Sequence, residues 1–134
     1  MIPLSDAQSL FEKATQLAKE HNRSISVCIV DTLGHEVAGI RMDGASWFTL
    51  GVARGKAQTS ALFSRPSQEL QNLWITYPDL VPQIEQQLAF KPTTLEGGMP
   101  IYGVDNILIG AIGIAGALPE IDQLIAETLA SPNI

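Results

Sequence analysis

Arg41 and Asp43 lie two residues apart at the predicted end of a strand, and this pair of opposite charges is suited to ligand binding. A guanidinium group can hold a carboxylate through two parallel hydrogen bonds, so both residues are candidate ligand-binding residues. The same arginine can instead neutralise Asp43 itself, Asp31 or Glu36. The spacing alone does not choose between a ligand contact and an internal ion pair.

Lys56 stands in an alanine-rich segment that is predicted to be helical, on or beside its apolar face. A lone cation in that position needs a partner, which is either an internal acid or a ligand. Thr59 follows one turn later on about the same side, so Lys56 and Thr59 are both candidate ligand-binding residues. The alternative is a lysine at the rim of the core whose ammonium group reaches solvent.

A double glycine, Gly97-Gly98, precedes Met99-Pro100. Two adjacent glycines permit unusual backbone geometry and leave neighbouring amide groups accessible to an anion such as a carboxylate. A tight turn before a strand has the same sequence. Gly97 and Gly98 are therefore candidate binding residues, with the turn as the competing interpretation.

The sequence lacks the motifs of nucleotide-binding loops, serine hydrolases and zinc sites. The glycines at 110, 113 and 116 match neither the dinucleotide fingerprint nor the mononucleotide loop, so they indicate close packing around a central strand. The chain contains no serine motif of the G-x-S-x-G form, and Cys28 falls inside an apolar strand, where a thiol behaves as a small hydrophobe. No cluster of His, Cys and carboxylate groups predicts a zinc site, so we expect no metal.

The patterns along the chain predict helices and strands that position these residues. Ser5 begins a capping box, and apolar residues at spacings of three and four continue through about residue 20, which indicates a first helix. Ser46 can cap a second helix, and short helices are expected after Pro66 and Pro82. A last helix begins at Pro119. Strands are predicted at residues 25–30, 37–42, 99–103 and 107–115.

Strand pairs joined by short turns and separated by helices indicate an antiparallel sheet, since short connections cannot make parallel crossovers. The predicted fold class is therefore α+β. The alanines of the second helix imply that it approaches the sheet closely.

Taken together, the motifs resemble the GlcG/HbpS-like family, which is often described as a haem-degrading domain. The resemblance covers nearly the whole chain and rests on these segments: Arg41-Met42-Asp43-Gly44-Ala45, Gly97-Gly98-Met99-Pro100-Ile101, the run from 110 to 116, Val30-Asp31-x-x-Gly34, Lys56-Ala57-x-Thr59 and Glu120-x-Asp122. It implies a profilin-like antiparallel sheet of about five strands flanked by helices, in a single domain over residues 1–134. It also implies assembly into homo-oligomers, and the aromatic half containing Trp47, Trp74, Tyr77 and Leu80 agrees with that expectation.

Length, charge and composition exclude other classes of protein. The 134 residues suit one domain with a substantial core. The net charge of −6 and the scattered Lys and Arg residues provide no basic stripe, so nucleic acid is not an expected partner. We find no secretion signal and no apolar stretch long enough to span a bilayer, and we expect a cytoplasmic protein without membrane partners. The single cysteine excludes an internal disulfide.

Two functional hypotheses follow. The first is a small-molecule binding or accessory protein, with a pocket between the sheet and the second helix that holds a carboxylate-bearing ligand; the resemblance implies that it serves a metabolic operon. The resemblance implies haem or a corrinoid as that ligand, with His21 as a candidate axial ligand of haem, since one histidine suffices. The second is an enzyme that degrades haem or transforms a small organic acid. No catalytic residue is assigned, because no poised acid, base or nucleophile stands out apart from Asp43 and Lys56.

Overall fold

A computed structural model describes residues 1–131 of the protein. The elements in chain order are α1 (Leu4–Glu20), β1 (Ser26–Val30), β2 (Glu36–Arg41), α2 (Thr49–Phe63), a 3₁₀ turn (Ser67–Glu69), α3 (Leu70–Thr76), α4 (Leu80–Glu85), β3 (Gly98–Tyr102), β4 (Leu108–Ala115) and α5 (Pro119–Ala130). No helix within this range is long and apolar enough to cross a membrane.

The strands form one antiparallel sheet in the order β2-β1-β4-β3. The α+β prediction is confirmed, but the expectation of about five strands is wrong, because the sheet formed by residues 1–131 has four. The long connection between β2 and β3 supplies no further strand, since its ordered elements are all helical. Four prolines, at 66, 78, 82 and 92, also interrupt this connection, and proline removes a donor that a ladder needs.

Helices cover both faces of the sheet. On one face, α1 and α5 pack against alternate residues of the central strands, among them Val27, Ile29, Ile112 and Ile114. On the other face, α2 packs against the intervening residues, which are smaller. This alternation follows from the pleat of a strand, in which successive side chains point to opposite faces.

The alanine-rich α2 comes close enough to β4 to leave no room for a side chain at Gly113. A Cβ atom there would overlap the carbonyl oxygen of Ala53 and lie 2.8 Å from the amide nitrogen of Ala57. The two predictions of close helix packing, from the alanines of α2 and from the glycine of β4, are both confirmed.

The side-chain caps predicted for the first two helices are absent from the structure. Helix α1 begins at Leu4 with Pro3 as its N-cap and has no side-chain cap, so the capping box at Ser5 does not form. Helix α2 begins at Thr49, with Ser46 outside it; the hydroxyl of Thr49 instead donates to the carbonyl of Ser46. By contrast, α5 begins at Pro119 as predicted.

Candidate functional site

Lys56 is the best-buried cation of the described chain, with only 3% of its surface exposed. It projects from α2 toward the end of β4, where its Nζ donates to the carbonyl oxygen of Ile114 over 2.7 Å. The same Nζ lies 3.3 Å from Oδ2 of Asp122. The internal acid that Lys56 requires is therefore supplied by the first turn of α5.

Asp122 is as deeply buried as Lys56, at 3% exposure, and both of its oxygens are occupied. Oδ2 accepts from Lys56, and Oδ1 accepts from the amide of Ala117 over 3.0 Å. Burial lowers the pKa of Lys56 and raises the pKa of Asp122, while the attraction between the two charges opposes both shifts. The carboxylate of Glu96 also favours the charged form of Lys56.

A cavity of about 320 Å³ opens beside this pair, and we call it the Lys56 cleft. It lies between α2, the end of β4 and the start of α5, and its lining consists of Ser46, Phe48, Thr49, Val52, Lys56, Leu95, Glu96, Ala115, Gly116, Ala117, Pro119 and Asp122. An ammonium group has three donors. Residues 1–131 supply Nζ with two acceptors, so within this part of the chain one N–H of Lys56 has no partner, and Lys56 lines the cleft.

The amides of Gly97 and Gly98 are both engaged by side chains of the protein. Gly97 N donates to Oε1 of Gln123 over 2.8 Å, and Gly98 N donates to the hydroxyl of Ser67 over 3.0 Å. Gly97 has a φ of +119°, and a Cβ atom there would lie 2.9 Å from Nζ of Lys56. The double glycine thus lets the backbone pass close to the ammonium group directly before and at the start of β3.

Thr59 is fully buried one turn beyond Lys56, and its hydroxyl serves the backbone. It donates to the carbonyl of Gly55 over 2.8 Å and accepts from the amide of Thr93 over 3.1 Å. Thr59 is not among the lining residues of the Lys56 cleft. Its hydrogen bonds attach the segment before Gly97 to α2.

Arg41 and Asp43 lie in a different place, at the sheet edge formed by β2. They line a groove of about 670 Å³ together with Lys19, Arg23 and five other residues, and this groove shares no residue with the Lys56 cleft. The two other acids considered as partners of Arg41 lie near different residues: Oε2 of Glu36 is 3.1 Å from Nε of Arg54, and Oδ2 of Asp31 is 3.8 Å from Nδ1 of His35. The structure therefore does not bring Arg41 together with Lys56, and Lys56 is the one predicted ligand-binding residue that lines the cleft.

Residues 2–131 match the family described as haem degrading protein HbpS-like. The chain belongs to this family. GlcG of Escherichia coli K12 is 30% identical over 111 residues, which are 81% of this chain and 77% of GlcG. The crystal structure of a PduOC:heme complex has a TM-score of 0.83 and 30% identity, covering 96% of this chain and 92% of that one. A double mutant of Streptomyces reticuli HbpS has a TM-score of 0.83 and 27% identity, with coverages of 96% and 84%.

Axial ligation of haem does not fit the Lys56 cleft of this HbpS-like chain, because its lining contains no imidazole, thiol, thioether or phenol. His21 caps the C-terminal end of α1 and His35 is exposed in a turn, and neither lines the cleft or the groove at β2. Burial raises the pKa of the Cys28 thiol to about 12, so it is not a thiolate at neutral pH. Among residues 1–131, no three His, Cys, Asp or Glu side chains are grouped to hold a metal ion.

Three residues of the site escape sequence reasoning. Gln123 fixes the loop at Gly97, Ser67 fixes Gly98, and Glu96 lines the cleft. The only signal for Glu96 is its position directly before the double glycine. In the sequence, the acidic residues next to Gln123 are accounted for by the dipole of the last helix. No pattern in the sequence therefore indicates a special role for Gln123.

Proposed function

We propose that this chain is a small-molecule binding protein that holds a carboxylate-bearing ligand in the Lys56 cleft, as an accessory protein of a metabolic operon. The observation that carries the proposal is the buried ammonium group of Lys56, which has one donor more than residues 1–131 satisfy. A ligand carboxylate would accept that hydrogen bond from the ammonium group of a lysine that is only 3% exposed, and hydrogen bonds between ionised groups are the strong ones.

The surroundings of Lys56 support a charged, fixed donor. Asp122 and the carbonyl of Ile114 hold Nζ in place, so little side-chain freedom is lost when a ligand binds. Pro119, the first residue of α5, also lines the cleft, and the dipole of a helix favours an anion at its N-terminal end. The exposed ring of Phe48 adds an apolar wall for the remainder of the ligand.

NMR titration with hexanoate tests this proposal. We expect the amide signals of Gly116 and Ala117 to shift and saturate in the wild-type protein, because both residues line the cleft. In the Lys56→Met/Asp122→Leu variant we expect affinity to fall about tenfold to a hundredfold, the value of a hydrogen bond to a charged group. Lys91→Met, which removes an exposed ammonium group, is the matched control and should bind as wild type does.

The wild-type titration also decides the question by itself. Shifts confined to residues outside the Lys56 cleft, or no saturable shift at all, would overturn the proposal whatever the stability of the variant.

Haem is the second candidate ligand, because the description of the family and the PduOC:heme complex suggest haem-related binding. Lys56 fits one propionate carboxylate of haem, whereas the lining of the cleft offers no imidazole, thiol, thioether or phenol as axial ligand. We therefore expect any Soret change of added hemin to persist in His21→Ala/His35→Ala and to be lost in Lys56→Met/Asp122→Leu. Loss of the Soret change on replacing the histidines would instead assign His21 or His35 as the ligand.

Self-association is part of the same proposal, because large apolar side chains are exposed and available for it. Trp47 and Tyr77 are 81% and 57% exposed, and Leu80 is 43% exposed. Burying such surface between copies would favour assembly.

Catalysis of haem degradation or of an organic-acid reaction stays a prediction, to be measured as turnover above the non-enzymatic background.

A further inference from the structure

A second groove of about 500 Å³ continues from the Lys56 cleft, and we call it the amide groove. The two cavities share three lining residues, Leu95, Glu96 and Pro119, so they meet along one boundary. The other residues of the amide groove are Gln68, Glu69, Gln71, Asn72 and Thr94. A ligand anchored at Lys56 and longer than the cleft would therefore extend across Leu95 and Glu96 into this groove.

The amide groove has a consistent chemistry. Its lining contains three carboxamide groups, one hydroxyl group and two carboxylates, and it contains no cation. Gln71 and Asn72 are exposed and Gln68 is half-buried, so their amides are available to a ligand. Carboxamides both donate and accept hydrogen bonds, and carboxylates only accept them. Such a surface binds uncharged ligand groups that can both donate and accept hydrogen bonds, above all hydroxyl groups.

The two carboxylates also set a limit on charge. Glu96 lies at the boundary of both cavities, and Glu69 lies within the amide groove. A carboxylate in the Lys56 cleft faces Glu96 but also the ammonium group of Lys56, whereas a second carboxylate in the amide groove would face both Glu69 and Glu96 with no cation in the lining to offset the repulsion. The ligand thus needs its one anionic group at the Lys56 end and uncharged polar groups beyond it.

We infer that the ligand is a polyhydroxylated monocarboxylate, of the sugar-acid type, whose carboxylate contacts Lys56 and whose hydroxyl groups occupy the amide groove. This inference rests on the proposed function, since it requires the carboxylate to bind at Lys56. It adds the chemical class of the remainder of the ligand.

Titration of the full chain with three probes of six carbons tests the inference. Hexanoate has the carboxylate alone, gluconate adds hydroxyl groups, and glucarate adds a second carboxylate. We expect gluconate to bind about tenfold more tightly than hexanoate, the value of one to two net hydrogen bonds, and glucarate to bind more weakly than gluconate. In Gln71→Ala/Asn72→Ala the advantage of gluconate over hexanoate should shrink, with hexanoate unaffected.

A matched control and the alternative outcomes separate this inference from the proposed function. Gln83→Ala/Gln87→Ala removes two exposed amides from outside the amide groove and should change neither affinity. If hexanoate binds at the cleft as tightly as gluconate does, the inference is wrong while the proposed function stands. If hexanoate does not bind at the cleft of the wild-type protein, the proposed function is wrong, and the inference that rests on it is wrong with it.

Discussion

Gly113→Ala is expected to lower the free energy of unfolding by about 4 kcal/mol or more, among the largest effects of a single substitution. The added Cβ atom would overlap the carbonyl oxygen of Ala53 and approach the amide of Ala57, and both are backbone atoms of α2. A flexible side chain could rotate away, but a helix backbone moves only as a unit. The helix would have to lift from β4 and give up the packing of Cys28, Ala111 and its other neighbours on this face.

Urea unfolding followed by circular dichroism measures this effect, and the chain contains a matched control. Gly55 lies in α2 itself, and a Cβ atom there would meet nothing within 4 Å. Gly55→Ala should therefore stabilise the protein by up to about 1 kcal/mol, because alanine is the better helix former. A Gly113→Ala protein as stable as wild type would show that α2 does not approach β4 in the described way.

The same glycine shows how far the sequence predicts the fold. Alanine at the inward positions of α2 and glycine inside β4 are each unusual, and close helix packing explains both at once. The residues also indicate four strands at the observed places, since β-branched and apolar runs between turn residues give a strong local signal. The fifth strand came from the resemblance alone, and the helical connection between β2 and β3 excludes it.

The helix caps show where local patterns fail. A capping box at Ser5 and a hydroxyl at Ser46 satisfy the sequence rule, yet α1 begins at Leu4 and α2 at Thr49. In each case the observed N-cap, Pro3 or Phe48, offers no side-chain hydrogen bond. Packing of the helix against the sheet outweighs a cap, whose loss typically costs about 1 kcal/mol.

The site was predictable only in part, because its contacts join distant segments. The burial of Lys56 follows from the alanines around it, and so does its need for an acid. Which acid it finds depends on where the first turn of α5 meets the sheet, and Lys56 and Asp122 are 66 residues apart. The double glycine is ambiguous for a different reason. The sequence does not distinguish an amide that donates to a ligand from one that donates to a side chain of the protein, as the amide of Gly97 does to Gln123.

The second large effect is expected at the buried ion pair. Asp122→Ala should lower the free energy of unfolding by about 3 to 5 kcal/mol, because it leaves a buried charge without its partner. The substitution removes the carboxylate from Lys56 and also the acceptor of the Ala117 amide. Thermal and urea unfolding at neutral pH measure the loss.

The pH dependence of the Asp122→Ala variant should identify Lys56 as the cause. Burial lowers the pKa of Lys56 in the folded state, and removing Asp122 removes the attraction that opposes this shift. The unfolded chain then binds the proton more tightly than the folded one, so stability increases with pH until the unfolded lysine also loses its proton. Relative to wild type, the variant should therefore recover stability as the pH rises toward about 10.4, the ordinary pKa of a lysine in the unfolded chain.

Removing both charges should restore most of what removing one costs. In Lys56→Met/Asp122→Leu no unpaired charge is buried, and replacement of a buried pair by apolar groups of similar volume is often neutral or stabilising. The exposed pair Arg54 and Glu36, at 3.1 Å, is the matched control, and Glu36→Ala should cost no more than about 1 kcal/mol. If Asp122→Ala costs as little as Glu36→Ala, or if the double variant is no more stable than Asp122→Ala, the pair does not lie in a water-shielded site. The Lys56 cleft would then lose the desolvated ammonium on which ligand binding depends.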